Sequence, residues 1–256
     1  MSDIDLTDSQ LQRYSRQILL PQVDYEGQQR LLAARVLVVG AGGLGSPVCT
    51  YLAGAGVGHI TVADGDVVDL SNLHRQTLHL TADVGRAKAE SACAQMRAIN
   101  PDVQASAVTR RLEGDALRAA VAAADVVLDC CDNFPTRFAV NDACLAERRP
   151  LVSGAAVRLE GQVSVYRLDR DDSPCYRCLY PEEGENAEPC STTGVLGPVV
   201  GVIGALQALE AIKLLAGFGE SLAGRLLLFD ARGSEWQTLR LRRDPACPAC
   251  GTGASA

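Results

Sequence analysis

The sequence predicts an α/β fold: a Rossmann-like, mostly parallel sheet continued by antiparallel strands, with helices on both faces. Three observations carry this expectation. The β-branched apolar run Val36-Leu37-Val38-Val39 leads into Gly40-Ala41-Gly42-Gly43-Leu44-Gly45 and then a helical segment, which is strand, glycine turn, helix. From Arg35 to Ser153, strand and helix patterns alternate, as in a parallel sheet covered on both faces. After residue 155 paired strands take over.

The elements follow in order. Thr7-Asp8-Ser9-Gln10 has capping-box spacing, and Leu11, Tyr14 and Ile18 continue at helical spacing until Pro21 stops the run. One short helix carrying Arg13 and Arg16 is therefore expected. Strands are expected at 36–40, 59–64, 103–108, 125–129 and 151–153, with helices at 45–55, 86–99, 114–123 and 135–148 between them. Segments 157–159 and 162–166 flank Glu160-Gly161, which reads as a hairpin turn. A polar segment at 169–193 follows, then an apolar, buried helix at 197–216 and a last strand pair at 225–229 and 236–241. No internal repeat or low-complexity linker interrupts the 256 residues, so one mixed-sheet domain is expected rather than two.

Bulk composition narrows the function classes. Hydrophobic content of 47% and charged content of 21% describe a soluble globular chain. A net charge of -7 argues against general nucleic-acid binding, which needs a basic face. The run Arg240-Leu-Arg242-Arg243 reads as a solvated strand edge. No apolar stretch reads as a membrane span, and the acidic start Met1-Ser2-Asp3-Ile4-Asp5 is unlike a secretory signal, so a cytoplasmic location is expected. A reducing compartment disfavours disulfides among the ten cysteines. Cys49, Cys93, Cys130, Cys131 and Cys144 sit in apolar contexts and read as small core residues.

The glycine loop permits a tight turn and close approach of backbone to phosphate, and the following helix offers N–H groups and a positive dipole end. Asp64 closes the second strand, where an acid can accept hydrogen bonds from ribose hydroxyls. Together Gly40, Gly42, Gly43, Gly45 and Asp64 point to an adenine nucleotide; a plain strand–helix turn is the alternative. Two C-x-x-C pairs, Cys175-Tyr-Arg-Cys178 and Cys247-Pro-Ala-Cys250, can present four thiolates to one zinc ion with no open position, a structural site. Redox motifs or unpaired thiols are the alternatives. Between the second strand and the helix at 86–99 lie Asp64-Gly65-Asp66, Ser71-Asn72-Leu73-His74-Arg75-Gln76 and Lys88. Arg75 and Lys88 there either converge on a triphosphate or are solvated surface charges. Asp129-Cys130-Cys131-Asp132-Asn133 ends the fourth strand, where ligands sit in open α/β sheets. Asp132 is placed to hold magnesium or meet the nucleotide; capping the next helix, by Asp132 or Asn133, is the plainer role. His59, His74 and His79 show no metal-ligand or triad spacing.

These residues together resemble the MoeB/ThiF family, relatives of the ubiquitin-activating enzymes. The resemblance runs from Arg13-Tyr14-Ser15-Arg16-Gln17 to Cys247-Pro-Ala-Cys250-Gly251 and includes the S-N-L-x-R-Q segment, Leu128-Asp-Cys-Cys-Asp132-Asn133 and Gln207-Ala-Leu-Glu210-Ala-Ile-Lys213. It implies adenylation, with ATP and magnesium, of the C-terminal glycine of a ubiquitin-like sulfur carrier: a MoaD-type carrier in molybdopterin synthesis or a ThiS-type carrier in thiamine synthesis. It implies that Gly43, Asp64, Ser71, Asn72, Arg75, Lys88, Asp132 and Asn133 line the ATP site, with Asp66, Leu73 and His74 beside them. Position 74 is a mild departure, since Asn or Gln is common there. Asp132 matches the magnesium-linked acid. Arg16 matches an arginine reaching into a neighbouring subunit's site, which implies a homodimer. Cys175, Cys178, Cys247 and Cys250 match the zinc ligands. Cys190 matches a loop cysteine that in some relatives links covalently to the carrier or bears a persulfide, and in others is a bystander. A sulfurtransferase or cysteine desulfurase is the implied further partner.

On this reading residues 1–30 form an N-terminal arm, 31–155 a nucleotide-binding half and 156–256 a half with the zinc site and carrier surface. The carrier carboxylate, with a reference pKa of about 3.5, is already ionised and needs no general base. It attacks the α-phosphorus, and Arg16, Arg75 and Lys88 stabilise the developing charge. The stretch from Leu151 to Gln162 leans towards MoeB; Gly197 to Gly204 and Arg225 to Phe229 lean towards ThiF. Other classes that fit the glycine loop are an NAD-dependent oxidoreductase, which Arg75, Lys88 and Asp132 disfavour, and a nucleotide-sensing scaffold that binds a carrier without catalysis.

Overall fold

The computed structural model describes residues 5–180 and 194–251. An eight-stranded sheet forms the centre, in the order β3-β2-β1-β4-β5-β6-β7-β8. Its strands are β1 (Arg35–Val39), β2 (His59–Ala63), β3 (Gln104–Val108), β4 (Val126–Asp129), β5 (Leu151–Val157), β6 (Glu160–Tyr166), β7 (Arg225–Asp230) and β8 (Glu235–Arg240). The first five are mutually parallel and the rest antiparallel. The helices are α1 (Asp8–Arg13), α2 (Ser15–Ile18), α3 (Asp24–Ala33), α4 (Gly45–Ala55), α5 (Lys88–Ile99), α6 (Gly114–Ala122), α7 (Phe134–Ala146), α8 (Tyr176–Leu179) and α9 (Gly197–Ala216).

Strand β1 shows why the chain builds two layers of helix around one sheet. Val36 and Val38 pack into the core shared with α3, α4, α5 and α9. Leu37 and Val39 pack into the core shared with α6 and α7. Both faces are apolar because both are covered. The strand order reverses between β1 and β4, and this switch point opens a crevice beyond the strand ends.

The expected α/β class and the mixed sheet are present, and several details differ. The expected single N-terminal helix is broken into α1 and α2 at Tyr14. The Tyr14 ring turns into the core, where its hydroxyl accepts from Asn100 Nδ2 at 2.8 Å. Helix α3, which follows Pro21 and runs past the expected end of the helical arm at residue 30, was not expected as a separate element. Segment 151–153 extends without a break to Val157 as one strand, β5, so only the first residue of the expected 157–159 strand is in it. The hairpin turns at Arg158-Leu159, with Arg158 at φ 54°, and not at Glu160-Gly161. Gly161 lies within β6 because a Cβ there would stand 2.4 Å from Ile203 Cγ1. It is a packing glycine, not a turn glycine.

The expectation that no stretch could cross a membrane also needs correcting. Helix α9, with 20 residues and mean hydropathy 1.8, is long and apolar enough to do so. In this fold it lies against α3, α4, β5 and β6, and its Gln207 and Glu210 are buried and hydrogen-bonded. It has the character of a core helix.

Candidate functional site

The crevice at the switch point is a broad groove of about 1690 Å³. One wall is the glycine turn between β1 and α4. Gly40 adopts φ 99°, and a Cβ there would lie 2.7 Å from Cys130 O. A Cβ on Gly45 would lie 2.1 Å from Gly40 O, and one on Gly43 would press on Val200 at 3.0 Å. These three glycines answer to the protein's own packing. Gly42 does not: its missing Cβ would meet only Gln76 Nε2, at 3.5 Å, an ordinary contact. The side-chain space at Gly42, which lines the groove, is left for something else.

Asp64 ties the turn to the end of β2. Its Oδ2 accepts from Ala41 N at 2.7 Å and its Oδ1 from Asp66 N at 2.8 Å. Beneath the turn, buried His79 bridges Ala41 O and Ser91 Oγ, both at 2.8 Å. Burial lowers the His79 pKa from its ordinary value of 6.5, so the neutral ring is favoured. Lys88 is buried at the start of α5 and its Nζ lies 2.8 Å from the exposed Asp66 carboxylate. Arg75 donates to Ser71 O at 3.2 Å and stands 2.9 Å from His74 Nε2.

Across the groove, β4 ends in a rigid buried knot. Arg137 of α7 donates to Asp129 Oδ2 at 2.8 Å, Ser153 Oγ at 3.3 Å and Gly154 O at 2.8 Å, and also to Cys131 O. Asp129 Oδ1 accepts from Cys131 N at 3.0 Å. Burial opposes the guanidinium charge, but Asp129 and neighbouring groups raise the Arg137 pKa on balance. The knot fixes the turn that presents exposed Asp132. Asn133 caps α7 through Thr136 N at 3.0 Å.

We expect Arg137→Met to destabilise the fold by about 3–5 kcal/mol, because Asp129 is left charged and unpaired in the interior. Urea unfolding measures it, and adding Asp129→Asn should recover part of the loss. A cost under about 1 kcal/mol would show that the knot is not a buried ion pair in energetic terms.

Gly40, Gly42, Gly43, Asp64, Asp66, Arg75, Lys88, Asp132 and Asn133 line this one groove. Gly45, Ser71, Asn72, Leu73 and His74 are not on its wall. Gly45 is buried behind the turn, and Ser71 to His74 build the turn that carries Arg75, whose N–H donates to Asn72 O at 3.1 Å. Arg16, exposed on α2, is also off the wall of its own chain's groove. Cys190 lies outside the described residues.

Groove residues that the sequence reading passed over include Arg110 and Arg111 after β3, with Arg111 bonded to Asn133 Oδ1 at 3.2 Å. Phe134, Tyr176 and Tyr180 form an aromatic side, and Phe229 and Trp236 stack with ring centroids 4.4 Å apart at the far end. Gln76 was legible only as a neighbour of Arg75.

The four C-x-x-C thiols meet behind the aromatic side. Cys175 and Cys247 sulfurs are 3.6 Å apart, Cys178 and Cys250 are 3.4 Å, Cys175 and Cys178 are 4.0 Å, and all four lie within 4.8 Å. A tetrahedron of zinc–sulfur bonds near 2.3 Å has edges of about 3.8 Å. The donor set and spacing fit zinc. The other cysteines expected in the core, Cys49, Cys93, Cys130, Cys131 and Cys144, are buried, and burial raises their thiol pKa values.

The chain is 51% identical over 246 residues to the Escherichia coli strain K12 sulfur carrier protein ThiS adenylyltransferase, covering 96% of this chain and 97% of that protein. It is 49% identical over 247 residues to the Salmonella typhimurium molybdopterin-synthase adenylyltransferase, covering 96% and 99%. It is 50% identical over 252 residues to the SAMP-activating enzyme E1 of Haloferax volcanii, covering 98% and 92%. Among solved structures, Escherichia coli MccB with succinimide superposes with a TM-score of 0.84 at 25% identity, covering 97% of this chain and 75% of that one. The ThiF family model matches residues 14–249, and the chain belongs to the ThiF family.

Proposed function

We propose that this protein is an adenylyltransferase that uses ATP to activate the C-terminal glycine carboxylate of a ubiquitin-like sulfur carrier, giving an acyl-adenylate and pyrophosphate for molybdopterin or thiamine biosynthesis. The observation that carries the reading is the meeting of the glycine turn, Asp64, Arg75, Lys88 and Asp132 on one groove. An NAD-dependent oxidoreductase has no use for two cations and an exposed acid there, since its cofactor's phosphates stay intact.

The roles follow from charge and position. Asp64, at the end of β2, is placed for the ribose. The open space at Gly42 lets phosphate approach the turn, and the N-terminal end of α4 favours the anion. Arg75 and Lys88 neutralise charge as the carrier carboxylate attacks the α-phosphorus and pyrophosphate leaves. Lys88 must exchange Asp66 for phosphate to do so. Asp132 and the nucleotide phosphates would hold magnesium, which supplies Lewis-acid neutralisation of the leaving group. Asn133 keeps Asp132 and α7 in register through its cap. Arg16 completes a partner subunit's site in a homodimer. The four cysteines hold zinc as a structural element. Residues 1–30 serve as the dimer arm, 31–155 bind nucleotide, and 156–256 carry the carrier surface. Cys190 is a candidate for covalent contact with carrier sulfur, and a sulfurtransferase or cysteine desulfurase would supply that sulfur.

ATP–pyrophosphate exchange with purified MoaD-type and ThiS-type carriers tests the reading. Exchange is expected only when a carrier with an intact terminal glycine is present. Absence of exchange with both carriers, alongside tight ATP binding, would favour a non-catalytic carrier-binding scaffold.

A further inference from the structure

Among the described residues, Gln76 is a groove-wall side chain with a buried polar atom that the protein leaves without a partner. It is only 4% exposed, and its Oε1 is buried without a hydrogen-bond partner among the described residues. Its backbone is fully engaged: its N–H donates to Asn72 O at 3.0 Å and its carbonyl accepts from His79 N at 3.1 Å. The amide is thus brought to the groove by the same turn that carries Arg75, with its Oε1 left unpaired. A buried amide without partners costs on the order of 1–3 kcal/mol, and an apolar side chain of the same length would avoid that cost. Opposite it stands Gly42, whose missing side chain would meet nothing but Gln76 Nε2. An unpaired amide and an open glycine therefore border the same space on the groove wall.

We infer that Gln76 is a phosphate-binding residue of the nucleotide site. Its Nε2 N–H donates to an oxygen of the β- or γ-phosphate lying over Gly42, and Oε1 takes its missing donor from water that enters with the charged ligand. An amide suits this position. It adds a donor without adding charge, between Arg75 and the turn, and it leaves the carboxylate of Asp64 free of competition. The inference rests on the adenylation reading of the groove.

The test is nucleotide binding by the full-length protein, followed by calorimetry with ATP and with AMP, together with the melting temperature. Gln76→Met keeps the length and burial and removes both hydrogen-bonding functions. It is expected to keep or raise the melting temperature, to weaken ATP by roughly tenfold or more, as for a lost hydrogen bond to a charged group, and to leave AMP within about twofold. Gln76→Glu keeps the shape and sets a carboxylate against the phosphates, so ATP should weaken further while AMP is again spared. ATP affinity unchanged in both variants overturns the inference. So does equal weakening of ATP and AMP, which with a lowered melting temperature is the signature of a structural residue. Should Gln76→Met fail to fold, the Gln76→Glu pair of affinities decides alone. Carrier-dependent exchange in the unmodified protein, with these variants binding ATP normally, removes Gln76 and leaves the adenylation reading standing. No exchange in the unmodified protein removes that reading instead.

Discussion

Asp132→Ala is expected to reduce carrier-dependent ATP–pyrophosphate exchange to background, a loss of at least about 10³-fold. The carboxylate stands exposed at the end of β4 and lines the groove. It accepts a long hydrogen bond from Asn133 Nδ2 at 3.4 Å. The rigid parts of the turn are held by others: Asp129 and Arg137 below it, and the Asn133 cap beside it. Removing the Asp132 carboxylate therefore costs the fold little, within about 0.5 kcal/mol as at other surface positions. A large loss of exchange at an unchanged melting temperature is the expected pair of results. Exchange surviving near the unmodified rate would remove Asp132 from the chemistry. Asn133→Ala makes the contrast, since it should cost about 1 kcal/mol of stability through the lost cap.

Cys175→Ser is expected to release the metal and lower stability steeply. Structural zinc contributes on the order of 10 kcal/mol of apparent binding energy in small domains at neutral pH, and three thiolates with a serine hydroxyl make a poorer set than four thiolates. Cys175 is fully buried and sits between Cys178 and Cys247, so its loss opens the centre of the cluster. Zinc measured by atomic absorption should fall well below one per chain, and the melting temperature should fall with it. Normal zinc content in Cys175→Ser would sink the four-thiolate assignment. Because Tyr176 and Tyr180 flank these ligands and form the aromatic side of the groove, metal loss should also weaken carrier engagement more than ATP binding.

Much of this was legible because it was local. Gly40 to Gly45, the Val36–Val39 run and Asn133 before Pro135 each state their conformation within a few residues. Other features depend on partners far along the chain. Tyr14 fits a helical stripe, but Asn100 and Gly56 draw its ring inward and break the helix there. Glu160-Gly161 has the composition of a turn, yet Gly161 is small because Ile203 of α9 presses on it. Arg137 has the spacing of a solvated helix residue and is buried because β5 offers it Ser153 and Gly154. Gln76 is legible as the last residue of the S-N-L-x-R-Q segment, but its lack of a partner depends on the fold around it.

The two pairs of cysteines lie 72 residues apart in the chain. Everything from α8 through α9, β7 and β8 is synthesised between them. The cluster thus cannot assemble on a nascent chain until Cys247 and Cys250 have left the ribosome. The parallel half, in contrast, has all its strands by residue 157. Helix α9, made after these strands, still has to close the core they share with α4 and α5. Zinc held across so long a loop would remove much of the unfolded chain's freedom. Chains ending before Cys247 are expected to lack this final lock and to be the forms that proteases clear.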